Sequence, residues 1–173
     1  MSSNRIISQV LAFFAYVLVQ VLVFEDIGFL DRSFCFIYVS FLLLIPIETS
    51  VVILLLAGFV TGLSVDLFYN SIGIHASASV LVMYLRTIWL NSLTPQGGYD
   101  LGMTPTIKVM GITWFTVYSL PLIFIHHLVL FFVEVGGIKM VGFTLTKVIF
   151  STLFTFIMVV ITQYIFYQKK QRT

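Results

Sequence analysis

The chain has 173 residues, of which 60% are hydrophobic and 9% charged, with a mean hydropathy of +1.09 and a formal charge of +2. A soluble domain keeps roughly a quarter of its residues charged to wet its surface, so this composition excludes a soluble fold and offers no basic face for nucleic acid. The one cysteine, Cys35, excludes an internal disulfide framework and a cysteine metal knot and reads as a small apolar packing residue.

A helix needs about 20 predominantly apolar residues to cross a hydrocarbon layer of roughly 30 Å. The sequence predicts a single integral membrane domain over 1–173, an all-α, compact bundle of about six such helices. The stretch from Met1 to Gln9 carries only Arg5 and enters apolar sequence with no small-residue cleavage pattern, which predicts a retained first span over 6–24. It closes on Glu25, Asp26, Asp31 and Arg32. The second segment, 34–47, ends on Pro46 and Glu48; it is short for a crossing, so a tilted, thin or re-entrant segment is expected. Spans 51–69 and 74–90 are joined by Asn70, Ser71, Ile72 and Gly73, turn formers that make them an antiparallel hairpin. From 91 to 108, Pro95, Gly97, Gly98, Gly102 and Pro105 break any helix and give the longest extramembrane stretch. The fifth span, 112–133, is interrupted by Pro121, and both it and the sixth, 141–167, are long enough to tilt.

Basic residues in short loops are retained on the cytoplasmic side. With the amino terminus inside, Arg5, Arg86, Lys108, Lys169, Lys170 and Arg172 fall inside and Arg32, Lys139 and Lys147 outside, which favours both termini in the cytoplasm. The last three basic residues also read as an anchor on anionic lipid. Trp89 and Trp114, near the inner ends of their spans, read as an interfacial belt.

Polar residues inside a span cost free energy in hydrocarbon and normally face the bundle interior. Gly58, Gly62 and Asp66 recur every four residues and so share one helix face. The two glycines strip bulk from that face and let another helix approach closely, either within the bundle, the favoured reading, or from a partner. His75, His126, His127, Glu134 and Lys147 fall with Asp66 in the outer half of the bundle. They predict a buried network in which Asp66 or Glu134 neutralises Lys147 with a histidine hydrogen-bonding among them. Its plain use is to fix helix order. A proton relay or ligand pocket would use the same residue types, although no metal-ligand spacing and no nucleophile beside a base is present. His126 and His127 lie about 100° apart around their helix, so they are not a metal pair. Arg86 is expected to extend to the cytoplasmic headgroups, with Glu48 as an alternative partner.

The run Gly58-Phe-Val-Thr-Gly62-Leu-Ser-Val-Asp66-Leu-Phe68, then Ser71-Ile-Gly73-Ile-His75-Ala76, and then an Ala/Ser-rich helix ending Tyr84-Leu-Arg86, resembles the rod shape-determining protein MreD family. Gly62, Asp66, Phe68, Gly73 and His75 match the family pattern residue by residue, and Ile125-His-His-Leu-Val-Leu-Phe131 with Glu134 is similar to the fifth span of one branch. The resemblance implies a non-catalytic scaffold without cofactor or metal in the bacterial inner (cytoplasmic) membrane. It would work with MreC, the MreB filament, and RodA with its partner transpeptidase in lateral peptidoglycan synthesis and cell shape. It makes the helix face of Gly58 and Gly62 a candidate groove for a partner's single span. The alternative is a substrate-binding subunit like the S-components of vitamin transporters, whose architecture MreD-like proteins are expected to share. Against it, the first span has Ala12 and Ala15 spaced three apart where S-components carry an AxxxA stripe. A membrane-embedded enzyme would have the outer polar cluster as its only foothold.

Overall fold

The computed structural model of the protein describes residues 3–24, 28–29, 33–71, 73–137 and 140–166. Glu25, Asp26, Asp31, Arg32, Ile72, Lys139, Lys169, Lys170 and Arg172, which bounded spans or set orientation in the sequence, lie outside the described residues, as does residue 167.

Among the described residues the architecture is helical apart from one short pairing. The elements are α1 (Ser3–Val23), β1 (Gly28–Phe29), β2 (Ser33–Phe34), α2 (Tyr38–Leu43), α3 (Val51–Tyr69), α4 (Ile74–Ser92), α5 (Ile107–Met110), α6 (Ile112–Val135) and α7 (Val141–Phe166). β1 and β2 form an antiparallel pair with Gly28 opposite Phe34 and Phe29 opposite Ser33, a feature the apolar pattern does not encode. Among the described residues four helices are long and apolar enough to cross a membrane: 6–23 within α1, and all of α3, α6 and α7. α4 equals α3 in length but carries more polar residues. Large apolar side chains such as Leu22, Leu67, Tyr164 and Phe166 stand exposed around the perimeter. In water such a surface would drive aggregation, and in a bilayer it is the lipid contact. The protein is an all-α membrane protein.

The expected second span takes a different form. Its helical part is α2 alone, and every residue of α2 is buried. The segment 33–47 runs through the middle of the bundle, antiparallel to α6: the Phe34 ring lies 6.0 Å from that of Phe131, the Tyr38 hydroxyl 2.7 Å from His126 Nε2, and the Leu43 carbonyl 2.8 Å from the Tyr118 hydroxyl. Between Tyr118 and Phe131, α6 climbs roughly 20 Å at about 1.5 Å per residue. The central segment matches that height with fewer residues because its first part is extended, where the rise is about 3.3 Å per residue. Around it pack α3 against α4, α4 against α6, and α6 against α7. Pro121 sits inside α6 without ending it.

Candidate functional site

The α3–α4 hairpin is built from its turn outward. α3 ends on Asn70, which adopts the left-handed conformation (φ 50°), a common way to close a helix. Gly73 precedes α4 with φ 80°, a conformation natural to glycine, and has no side chain with which to cap the helix. The first amides of a helix need acceptors. Asp66, one turn before the end of α3, supplies them: Oδ1 accepts from the His75 amide (3.0 Å) and the Ser71 hydroxyl (2.8 Å), and Oδ2 accepts from the Ala76 amide (3.0 Å). A carboxylate at a helix N-terminus is also favoured by the helix dipole. His75 Nδ1 lies 3.1 Å from Asp66 Oδ1 and 2.9 Å from Ser71 Oγ.

This cap works only if the two helices touch, and Gly62, one turn earlier on the same face, makes that possible. A Cβ there would sit 2.4 Å from Ala76 Cα and 2.5 Å from the His75 carbonyl oxygen. At Gly58 it would meet Met83 Cγ and the Ser79 oxygen at 3.0 Å. The glycine stripe is therefore filled by α4. Of the two readings of the stripe this is packing within the bundle, not a groove open to a partner's span: the same lack of side chains that would admit a partner admits the neighbouring helix first.

The central segment poses a different problem. Non-helical backbone at membrane depth is tolerated only where its polar groups find partners inside the protein. Here they come from side chains of the surrounding helices. Gln20 of α1 donates to the Cys35 carbonyl (3.1 Å); Ser151 and Thr155 of α7 accept from the Phe34 and Phe36 amides (2.9 and 3.1 Å). Where α2 ends, its last carbonyls need donors. The Tyr118 hydroxyl supplies one to Leu43, and just beyond the helix Arg86 NH2 donates to the Ile45 carbonyl. The Arg86 Nε donates back to the Tyr118 hydroxyl at 2.7 Å.

Arg86 is fully buried, which corrects the expectation that it reaches the headgroups or pairs with Glu48, an exposed residue. Its guanidinium is held instead by the Ile45 carbonyl just beyond α2 and by the Tyr118 hydroxyl.

The outer polar residues form three groups instead of one network. Glu134 is the carboxylate near Lys147, with Oε2 at 3.5 Å from Nζ; Asp66 is occupied by α4 and His75. The Lys147 ammonium also lies 4.9 Å from the centre of the Phe34 ring and 4.7 Å from that of Phe131. His126 and His127 belong to the third group. His126 meets Tyr38, while His127 donates from Nδ1 to the Ile123 carbonyl (2.7 Å), which leaves Nε2 to accept from Thr155 (3.1 Å). Phe36 packs edge-on between His75 and His127, with ring centres at 5.5 and 5.3 Å. Among the described residues no cluster of three His, Cys, Asp or Glu could hold a metal ion.

Phe68 is exposed at the end of α3, and Cys35 is buried in the core. Trp114 stacks on Tyr118 at 5.0 Å, and Trp89 donates to the Val117 carbonyl at 3.2 Å. The residues that sequence reasoning missed are Gln20, Tyr38, Tyr118, Ser151 and Thr155. A signal existed for α7, where Thr144, Ser151, Thr152, Thr155 and Gln163 fall on one buried face at helical spacing. Gln20, a single amide in an apolar span, carried a weaker one.

A pocket of about 200 Å³ lies at the turn end of the hairpin, lined by Phe34, Ser71, His75, Phe131, Glu134 and Lys147 among others. No protein-family model, curated protein or solved structure matches the chain.

Proposed function

We propose that the protein is a non-catalytic scaffold of the MreD type in the bacterial inner membrane, helping to organise lateral peptidoglycan synthesis and cell shape. The observation that carries this reading is how the matched residues are used. Gly62, Asp66, Gly73 and His75 all serve the contact and cap between α3 and α4, a use suited to a protein whose product is a shaped surface. In this reading the chain crosses about six times, with α4 and the central segment 33–47 as the two crossings beyond the four apolar helices, and both termini are cytoplasmic.

The partners proposed are membrane lipid, MreC, and through it MreB and RodA with its transpeptidase. With the glycines spent inside the hairpin, the partner's single span is assigned to the outward face of α3, where Leu63, Leu67 and Phe68 stay exposed.

The test is depletion of the protein in its own cells together with gentle detergent extraction. Rounded cells and recovered MreC are expected, and Phe68→Ala should weaken that recovery while the protein still inserts. Unchanged cell shape on depletion, or a stoichiometric vitamin in the purified protein by mass spectrometry, would overturn the reading.

A further inference from the structure

We propose that the pocket at the turn end of the hairpin is a binding site for a small oxyanion, a carboxylate or phosphate group, held by Lys147. The inference goes beyond the scaffold reading and does not depend on it.

The site starts from a cation in an unusual setting. Lys147 lies about two turns into α7, and its side chain is only 12% exposed. An ammonium carries three donors and no acceptor. Here two aromatic faces, Phe34 and Phe131, attract the charge but accept no conventional hydrogen bond. The carboxylate beside it, Glu134, stands at the rim with its side chain 49% exposed, and the pair is 3.5 Å apart, longer than the 2.7–2.9 Å of a charge-assisted hydrogen bond. A half-exposed carboxylate on a long side chain is held weakly by such a contact. Asp66, the buried carboxylate of the same region, is saturated by Ser71, His75 and the α4 amides. The lysine therefore keeps donor capacity toward the cavity.

His75 also borders the pocket; it is 4% exposed and its Nε2 has no partner among the described residues. Its Nδ1 faces the Asp66 carboxylate, so Nε2 donates to an anion in the protonated ring, and the anion is taken up together with a proton on His75. The aromatic walls exclude water and strengthen the charge interaction. The volume of about 200 Å³ admits a single phosphate, a short carboxylic acid, or the head of a lipid entering from the membrane edge. These share the chemistry of an oxyanion and differ in whether a tail follows it.

The full-length protein in neutral detergent would be titrated calorimetrically with inorganic phosphate and with acetate. In parallel it would be placed in nanodiscs of phosphatidylcholine with and without phosphatidylglycerol, and its melting temperature read. Saturable binding of either ion, weakened about tenfold or more in Lys147→Met and retained in Lys147→Arg, is the expected result. Glu134→Gln, which removes the competing carboxylate, should bind several-fold more tightly. A lipid source is indicated if phosphatidylglycerol raises the melting temperature of the wild type and not of Lys147→Met, and a free ion if the lipid has no such effect while titration succeeds. The proposal is overturned if neither ion nor lipid acts on the wild type or on Glu134→Gln, or if binding is unchanged in a folded Lys147→Met; should that variant not fold, Glu134→Gln binding no better than wild type overturns it.

Discussion

The α3–α4 hairpin and the central segment 33–47 face the same requirement, burial of backbone in an apolar bundle, and meet it by opposite means. The hairpin keeps its backbone bonds within two helices and needs outside help only at the α4 N-terminus, where Asp66 supplies it from a few residues away. The segment gives up the helix for part of its length and draws hydrogen bonds from α1, α4, α6 and α7. The first arrangement concentrates its dependence in two residues, Gly62 and Asp66. The second distributes it over several. A single substitution should therefore be far more damaging in the hairpin than in the ring of side chains around the segment.

The largest expected effect is at Gly62. A Cβ 2.4 Å from the backbone of Ala76 has no flexible neighbour to displace, so Gly62→Leu should separate α3 from α4 and withdraw Asp66 from its amides. Loss of a cooperative melting transition and rapid proteolysis in the turn would be observed, with membrane insertion retained. Next comes Asp66→Ala, which strips acceptors from the His75 and Ala76 amides together; a loss of about 2 kcal/mol is expected, the upper end for a helix cap. Asp66→Asn, keeping one acceptor oxygen, should recover part of it, as read from thermal unfolding in detergent.

In the distributed region the expected losses are smaller. Thr155→Val removes the acceptor of the Phe36 amide and the donor to His127. Interhelical hydrogen bonds in bilayers are worth about 0.6 kcal/mol each on average, so about 1 kcal/mol is expected. A loss as large as that of Asp66→Ala would show that the segment is held by a few key bonds after all.

These two regions also differ in how far the sequence disclosed them. Gly58, Gly62, Asp66, Gly73 and His75 act on one another across a single turn, so four-residue spacing and turn chemistry sufficed to place them on one face. The two halves of the central arrangement lie as far apart as Phe36 and Thr155, and no periodicity links them. The apolar run 34–47 looks the same whether it is helical or extended, because its polarity is carried by backbone atoms. The same holds for Arg86: its position near a helix end suggests the headgroups, while its partner is a backbone carbonyl, that of Ile45 just beyond α2, which sequence does not display. The Glu134–Lys147 contact was foreseen as one of two pairings; the choice turned on Asp66 having nearer amides to serve.

The smallest expected effect separates the two glycines of the stripe from each other. At Gly58 an added Cβ would meet the flexible Met83 side chain and the Ser79 carbonyl oxygen at 3.0 Å, so the neighbours must yield by only a few tenths of an ångström. Replacing a mid-helix glycine by alanine gains about 0.8–1.0 kcal/mol of helix propensity, of the same order as the roughly 1 kcal/mol or more that overpacking costs. Gly58→Ala should therefore change stability by less than about 0.5 kcal/mol in either direction, whereas Gly62→Ala should already lower the melting temperature clearly. Equal effects at the two positions would mean that the stripe acts as a uniform packing surface. Unequal ones would mean that the close approach exists to bring α4 to Asp66, and that Gly58 merely continues it.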